Sequence, residues 1–197
     1  MTPQEDRVLH LFQLTGAYLH GHFRLTSGLH SPGYLQSALV LRYPPHAERL
    51  GALLAGRLKE LADGQHFDLV IAPALGGLII GHEVARALGV PFLFTERDAD
   101  RRMSLRRGFT LEPGARAAIV EDVITTGGST KEVIDIVRAA GAIPVVAGSI
   151  IDRSGGSADV GIPRAALETL SVPAWDPAQC PLCANGDPVV KPGSRPV

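Results

Sequence analysis

Lysine is nearly missing from this chain. Only Lys59, Lys131 and Lys191 stand among 197 residues, so the other 16 of the 19 basic side chains are arginine. Where the sequence needs a cation it therefore uses a guanidinium, which carries charge and donors but does not hand on a proton. Net charge is missing too. The 19 basic and 20 acidic residues leave −1 at pH 7, which gives no field to gather nucleic acid or anionic lipid and confines any polyanion site to a local feature. Long hydrophobic runs are also absent: the longest, Leu69 to Gly81, is interrupted by Pro73, and the N-terminus lacks a basic region followed by an apolar stretch. These absences point to a cytoplasmic protein with a small phosphorylated ligand, and away from nucleic-acid or membrane partners.

Cysteine is equally scarce. Cys180 and Cys183 form a lone Cys-Pro-Leu-Cys near the C-terminus, half the ligand set of a structural zinc site, with no histidine in the tail to complete it. The pair reads as a structural turn rather than a metal or redox centre. Two phosphate-binding signatures are missing as well: there is no Gly-x-x-x-x-Gly-Lys-Ser/Thr, and no Gly-x-Gly-x-x-Gly follows a strand, which excludes the two commonest nucleotide-binding loops.

What is present is one domain's worth of alternating pattern. Apolar residues Val8, Leu9, Leu11, Phe12 and Leu14 recur at helical spacing from Pro3 to Tyr18, with Glu5 and Asp6 in the first turn. Phe23–Leu25 and Tyr34–Val40 read as short strands around a turn-rich loop, residues 26–33. A helix runs from Pro44 to about Ala62. Buried strands follow at Phe67–Ala72, Val90–Phe94, Ala115–Val120 and Pro144–Ile151, separated by helices ending near Gly89 and spanning Ser129–Ala140. Such alternation predicts an α/β fold, a central parallel sheet flanked by helices, with ligands at the carboxyl ends of the strands. Function is expected in the loops after Ala72, Phe94, Val120 and Ile151. The Pro- and Gly-rich stretch after about Pro173 reads as an appendage.

The segment after the third of these strands carries the chemistry. Glu121 and Asp122 stand at the strand end, and Thr125-Thr126-Gly127-Gly128-Ser129-Thr130 opens the next helix. Glycines and hydroxyls at a helix N-terminus offer convergent donors and the positive end of the dipole, which suits a phosphate monoester. Paired carboxylates beside a phosphate repel it unless they hold something between, and polyol hydroxyls or a hydrated magnesium ion are the candidates. A capped helix following two acidic residues by chance is the bland reading; it accounts for Ser129 or Thr130 but not for the whole run.

Val120 to Ser129 resembles the phosphoribosyl pyrophosphate (PRPP) motif of type I phosphoribosyltransferases. The resemblance implies that family's fold, a sheet core of about residues 41–164 with a small hood made from about residues 1–40 and the C-terminal stretch from about 165 to 197. It implies Mg2+ carried by PRPP rather than held by protein alone, and displacement at the anomeric carbon through an oxocarbenium-like state. Glu121 and Asp122 would serve catalysis and hold the ribose, and Val123, Ile124, Thr125, Thr126, Gly127, Gly128 and Ser129 would hold the rest of PRPP.

Phe23-Arg24-Leu25-Thr26-Ser27-Gly28, followed by Ser31 and Tyr34, is similar to a stretch of the orotate-specific branch, and Ile151-Asp152-Arg153 matches the place where that branch presents an arginine to the base. A guanidinium fork fits a planar carboxylate, so Arg153, with Thr125 and Tyr34, is expected to bind orotate. The competing reading makes Arg153 a surface residue paired with Asp152. Residues 97–107 hold five arginines in eleven residues and read as a mobile basic loop. The resemblance implies that this loop reaches the neighbouring active site of a homodimer and that Arg97, Arg101 and Arg102 serve catalysis; a solvated charge run is the alternative. This loop has no lysine where the family usually has catalytic ones, Gly stands in Ala74-Leu75-Gly76-Gly77 and Thr26 in the hood where many relatives have Lys, and the Lys191–Ser194 tail resembles that of an orotate-enzyme subgroup. A purine or xanthine enzyme of the same fold, or a non-catalytic PRPP-sensing regulator, remain open alternatives.

Overall fold

The computed structural model describes residues 8–25 and 27–192. The expected start of the first helix at Pro3, with Glu5 and Asp6, falls outside the described residues, as do Thr26 and the Gly193-Ser194 end of the tail. The chain divides into two compact units, residues 41–170 and a second made of residues 1–40 with 171–197.

The second unit begins with α1 (Val8–Leu14), which buries Val8, Leu11 and Phe12. The helix ends earlier than its apolar spacing suggests: Gly16 takes a left-handed φ of 66°, a conformation glycine adopts at little cost and one that stops helices. Tyr18, expected in the helix, instead opens β1 (Tyr18–Arg24), which pairs antiparallel with β2 (His30–Leu35). The hairpin is longer than the two short strands expected, because His30 to Gly33 are paired strand residues rather than loop. Ser37 to Leu41 form the short α2, not a strand.

The larger unit starts with α3 (Pro44–Leu61), whose prolines occupy the first turn, where their missing N–H costs nothing. Then come β3 (Leu69–Pro73), α4 (Gly77–Leu88), β4 (Phe92–Arg97), β5 (Met103–Leu105), β6 (Arg116–Ile124), α5 (Gly128–Ala139), β7 (Ile143–Asp152) and β8 (Arg164–Thr169). The six strands form one sheet in the order β5-β4-β3-β6-β7-β8, parallel except for β5. β5 and β8 were not legible in the sequence, since short half-buried edge strands lack a buried apolar run.

Side chains alternate along each strand, which sorts the core into two layers. Ile71, Ala117, Ile119 and Ala147 face α5 and pack with its Val133, Ile134 and Val137. On the opposite face the helices come close because the contact residues are small. A Cβ on Gly148 of β7 would lie 2.7 Å from Leu58 of α3, and one on Gly81 of α4 would lie 2.5 Å from Phe92. Each fully buried leucine of α3 (Leu50, Leu54, Leu58) contributes about 1.5–3 kcal/mol. This packing holds the carboxyl ends of β3, β6 and β7 side by side.

The short α6 (Pro181–Ala184), preceded by a 3-10 turn at Pro177–Gln179, belongs to the smaller unit. Among the described residues no helix is long and apolar enough to cross a membrane.

Candidate active site

β6 runs past Val120, where the sequence pattern placed its end, and carries Glu121 and Asp122 within the sheet. Alternation gives the two acids different surroundings. Glu121 continues the row of Ala117 and Ile119 and is buried, 8% exposed. Burial first, and the adjacent Asp122 charge second, push its carboxyl well above the ordinary carboxylate range. The Asp122 backbone N–H donates to its Oε1 at 3.1 Å, and among the described residues no cationic side chain pairs with it. Asp122 continues the row of Ala118 and Val120 on the side of the β3–α4 loop, with Oδ1 accepting from the Val123 N–H at 2.8 Å.

Gly76 of that loop lies against Asp122. A Cβ on Gly76 would stand 2.6 Å from Asp122 Oδ1, so the absence of a side chain there leaves the carboxylate its present position. Gly77 is constrained in the same way by Ala72, at 2.8 Å. The Ala74–Leu75 peptide in this loop is cis, and Leu75 is 81% exposed. The loop thus presents backbone and an unburied side chain beside Asp122.

Beyond β6 the chain turns through Thr125, Thr126 and Gly128, all exposed, into the N-terminus of α5. Gly127 has φ 79°, and a Cβ there would lie 2.7 Å from Val160; conformation and space both require glycine. No side chain caps the helix, so its first N–H groups and the dipole's positive end are left for a ligand. Ser129 is half-buried. Val123 is half-buried, whereas the side chain of Ile124 is core at 1% exposed. Ile124 contributes its backbone, and its carbonyl accepts the Arg153 N–H at 2.7 Å.

That bond fixes Arg153 beside the β6 end. Arg153 is 8% exposed, so it is not the surface arginine of the competing reading. Asp152 instead pairs with Arg164, its Oδ2 2.7 Å from Nη1, and also accepts from the Ser154 N–H (2.8 Å) and hydroxyl (2.6 Å) and the Gly156 N–H (3.1 Å). Burial alone would raise its carboxyl; the Ser154 and Arg164 bonds outweigh it and hold the group below its usual range. Arg164 sits on the edge strand β8, which the sequence did not reveal, so this partner could not be foreseen.

The basic segment is a hairpin rather than an open loop. β4 extends to Arg97 and pairs with β5, Arg97 opposite Met103, and Asp98 closes the tip by accepting from the Arg102 N–H at 2.9 Å. Arg97 grips Glu132 of α5 with both terminal nitrogens, at 2.9 and 2.7 Å, and Arg107 grips Glu96 at 2.7 and 2.8 Å. Arg101 and Arg102 are exposed. Tyr34 lies on β2 in the other unit, half-buried, its ring 5.9 Å from that of Phe23. The clefts lined by Asp68, Pro91 and Pro113 and by Lys59, His66 and Val90 lie at the amino ends of the strands, away from this constellation.

Residues 40–163 match the model of the phosphoribosyl transferase domain family. Over 190 residues, 96% of this chain and 97% of the relative, the sequence is 52% identical to an orotate phosphoribosyltransferase of Pelotomaculum thermopropionicum. It is likewise 52% identical over 192 residues, 96% of this chain and 97% of the relative, to one of Acidithiobacillus ferrooxidans. Among solved structures, the orotate phosphoribosyltransferase of Aeropyrum pernix superposes with a TM-score of 0.66 at 26% identity, covering 83% of this chain and 93% of that one.

Proposed function

The chain belongs to the phosphoribosyltransferase family, within it to the orotate phosphoribosyltransferases, and on that premise we propose how its residues divide the work. The reaction transfers the phosphoribosyl group of PRPP to orotate in pyrimidine biosynthesis, releasing pyrophosphate and giving orotidine 5-phosphate. The bond from the anomeric carbon to pyrophosphate breaks as a ring nitrogen of orotate attacks that carbon. Positive charge gathers on the ribose and negative charge on the leaving group, so a site that places anions beside the first and cations beside the second lowers the barrier.

The single observation that carries the assignment of roles is the junction of β6 with α5. The uncapped helix end with exposed Thr125, Thr126 and Gly128 suits the 5-phosphate, together with Gly127, Ser129 and the backbone of Val123 and Ile124. Glu121, buried and without a cationic partner among the described residues, and Asp122, beside the bare Gly76, suit the two ribose hydroxyls and the developing positive charge. The same acceptors fit a hydrated magnesium ion, which would enter with PRPP and shield the pyrophosphate charge. Arg97, Arg101 and Arg102 on the β4–β5 hairpin are assigned to pyrophosphate, held as charge rather than as proton donors. The hairpin lies at the sheet edge, and we infer a homodimer in which residues 97–107 serve the neighbouring site. Thr125 and Arg153 in the larger unit and Tyr34 in the smaller are assigned to orotate, Arg153 meeting its carboxylate. The highly charged substrates, neither of which crosses a bilayer unaided, support a cytoplasmic enzyme.

The assay follows loss of orotate's ultraviolet absorbance with PRPP, with and without magnesium, while adenine, hypoxanthine and xanthine are run in parallel by pyrophosphate release. Magnesium-dependent turnover of orotate alone is expected. Arg153→Ala should raise the KM for orotate roughly 10- to 100-fold, the loss of one charge-assisted hydrogen bond or two, with the KM for PRPP unchanged. Equal effects on both substrates would remove Arg153 from the base site, and turnover of a purine would discard the orotate pocket while keeping the PRPP site.

A further inference from the structure

The two cysteines that the sequence left as half a site have their other half at the opposite end of the chain. His22 of β1 and His30 of β2 bring ring nitrogens within 2.9 Å of each other, Nε2 to Nδ1. Cys183 Sγ lies 3.2 Å from His30 Nδ1 and 3.7 Å from His22 Nε2, and Cys180 Sγ lies 3.6 Å from His22 Nε2. All four donor atoms fall within 4.8 Å of one another. A tetrahedral ion with metal–nitrogen distances of about 2.0 Å and metal–sulfur distances of about 2.3 Å separates its donors by roughly 3.3–3.8 Å along each edge; the four contacts of 2.9–3.7 Å lie within about half an ångström of that, and the widest donor pair needs to close by no more than about one ångström. We propose that His22, His30, Cys180 and Cys183 form a structural zinc site that clasps the C-terminal segment to the β1–β2 hairpin.

Three further features support a site over an accidental meeting. Three of the four ligands are buried: His22 is 5% exposed, His30 6% and Cys180 3%. The remote nitrogen of His22 is spoken for, because Nδ1 lies 2.8 Å from the Asp187 carbonyl. An N–H donated there leaves Nε2 as a bare lone pair facing the cluster, the outer-shell arrangement that orients a metal-bound histidine. The third is the Cys-x-x-Cys turn itself, opening α6 with Ala184 N–H to the Cys180 carbonyl at 3.1 Å, the spacing typical of a zinc knuckle. Two nitrogens and two thiolates in a closed four-donor set select zinc over the oxygen-loving magnesium.

The clasp has work to do. The tail meets the hairpin through backbone bonds: His30 exchanges two with Trp175, both 2.8 Å, Arg24 N–H reaches Val190 at 2.9 Å, and Val190 N–H reaches His22 at 2.8 Å. It brings little apolar burial to that meeting, with Val189 48% and Val190 53% exposed. A small unit short of hydrophobic core is where a metal supplies the missing stability. This role is independent of the transfer reaction.

The test begins with metal analysis of the full chain purified under reducing conditions, followed by cobalt(II) titration of the metal-stripped protein. One zinc per chain is expected, and cobalt should saturate at one equivalent with the visible bands of a tetrahedral thiolate site. Cys183→Ala, at the exposed ligand, should bind less than a tenth of that metal, whereas Cys183→His should keep it. Chelation should speed hydrogen exchange of the His30, Trp175 and Val190 amides at least tenfold, with amides of β3 and β6 unmoved. Reduced protein, verified by thiol count, that takes up neither metal would overturn the proposal. So would a Cys180–Cys183 disulfide that stays metal-free after reduction, or Cys183→Ala binding as much metal as the parent.

Discussion

Two buried acids lie toward the carboxyl ends of neighbouring parallel strands of the same sheet, and their surroundings give them opposite characters. Asp152 at the end of β7 is 1% exposed yet fully engaged, by Arg164, the Ser154 hydroxyl and two backbone N–H groups, and its carboxyl is held down in the charged form. Glu121 on β6, opposite Ser149 of β7, is buried almost as deeply, accepts one backbone N–H, and is pushed toward the neutral form. A saturated carboxylate is a strut. One left short of partners in a cleft is held for a ligand, and the fold bears the cost of keeping it there.

The largest effect expected on this comparison comes from the strut. Asp152→Ala removes one side of a buried ion pair and leaves Arg164, 14% exposed, with the Ala158 carbonyl but no carboxylate; breaking such a pair costs about 3–5 kcal/mol. Thermal unfolding should fall by roughly 6–20 °C for a chain of this size. A loss under about 1 kcal/mol would mean that solvent reaches Arg164 easily and that Asp152 is no strut. The pH dependence has a definite sign. The folded-state pKa of Asp152 is depressed, so its stabilisation is present above the ordinary carboxylate range and is lost as pH falls through the depressed value.

Glu121→Gln should act in the opposite direction and more weakly. Its folded-state pKa is raised, so the folded protein holds a proton that the unfolded chain gives up, and stability declines as pH rises from the ordinary carboxylate range through the raised value. Neutralising the side chain removes that decline. The unliganded variant should gain about 1–3 kcal/mol at neutral pH, the usual cost of a buried group short of partners, while kcat falls. Denaturation of parent and variant between pH 4 and 8 decides the matter: parallel curves would show that Glu121 is not perturbed and would undo the contrast with Asp152.

The sequence revealed these two acids unequally, for a physical reason. Glu121 stands inside one contiguous run in which strand, acids, glycines and helix start follow each other within a dozen residues, so local pattern alone exposes the site. Asp152 depends on Arg164, on an edge strand with no fully buried residue, and nothing near Asp152 announces that partner. Gly76 is the same kind of case: nothing in its neighbourhood of the sequence announces that it stands against a carboxylate 46 positions away. The cysteine pair is the extreme one, since His22 and His30 are over 140 residues distant. The parallel core was legible because continuous apolar runs mark buried strands; α1 ran short at Gly16, and His30–Gly33 hid a strand behind turn-forming residues, because tertiary pairing overrides those local preferences.

The smallest effect concerns a third acid, and it tests whether burial or bonding pattern makes the strut. Arg97 and Glu132 form a two-pronged pair, geometrically better than Arg164–Asp152, but they are 38% and 42% exposed. Exposed pairs contribute about 0.2–1 kcal/mol, so Glu132→Gln should lower stability by no more than that, and the difference from the parent should vanish in high salt. The weakness has a use under the roles proposed above. For Arg97 to grip pyrophosphate it must let go of Glu132, and a contact this weak is released by a multiply charged ligand, where a strut such as Asp152–Arg164 would not be. Glu132→Gln should therefore leave kcat within a few-fold and lower the KM for PRPP slightly, by removing a competitor for the guanidinium. A rise in that KM instead would mean that Glu132 positions Arg97 for the ligand, and that the pair works as part of the site even though it is built like a surface contact.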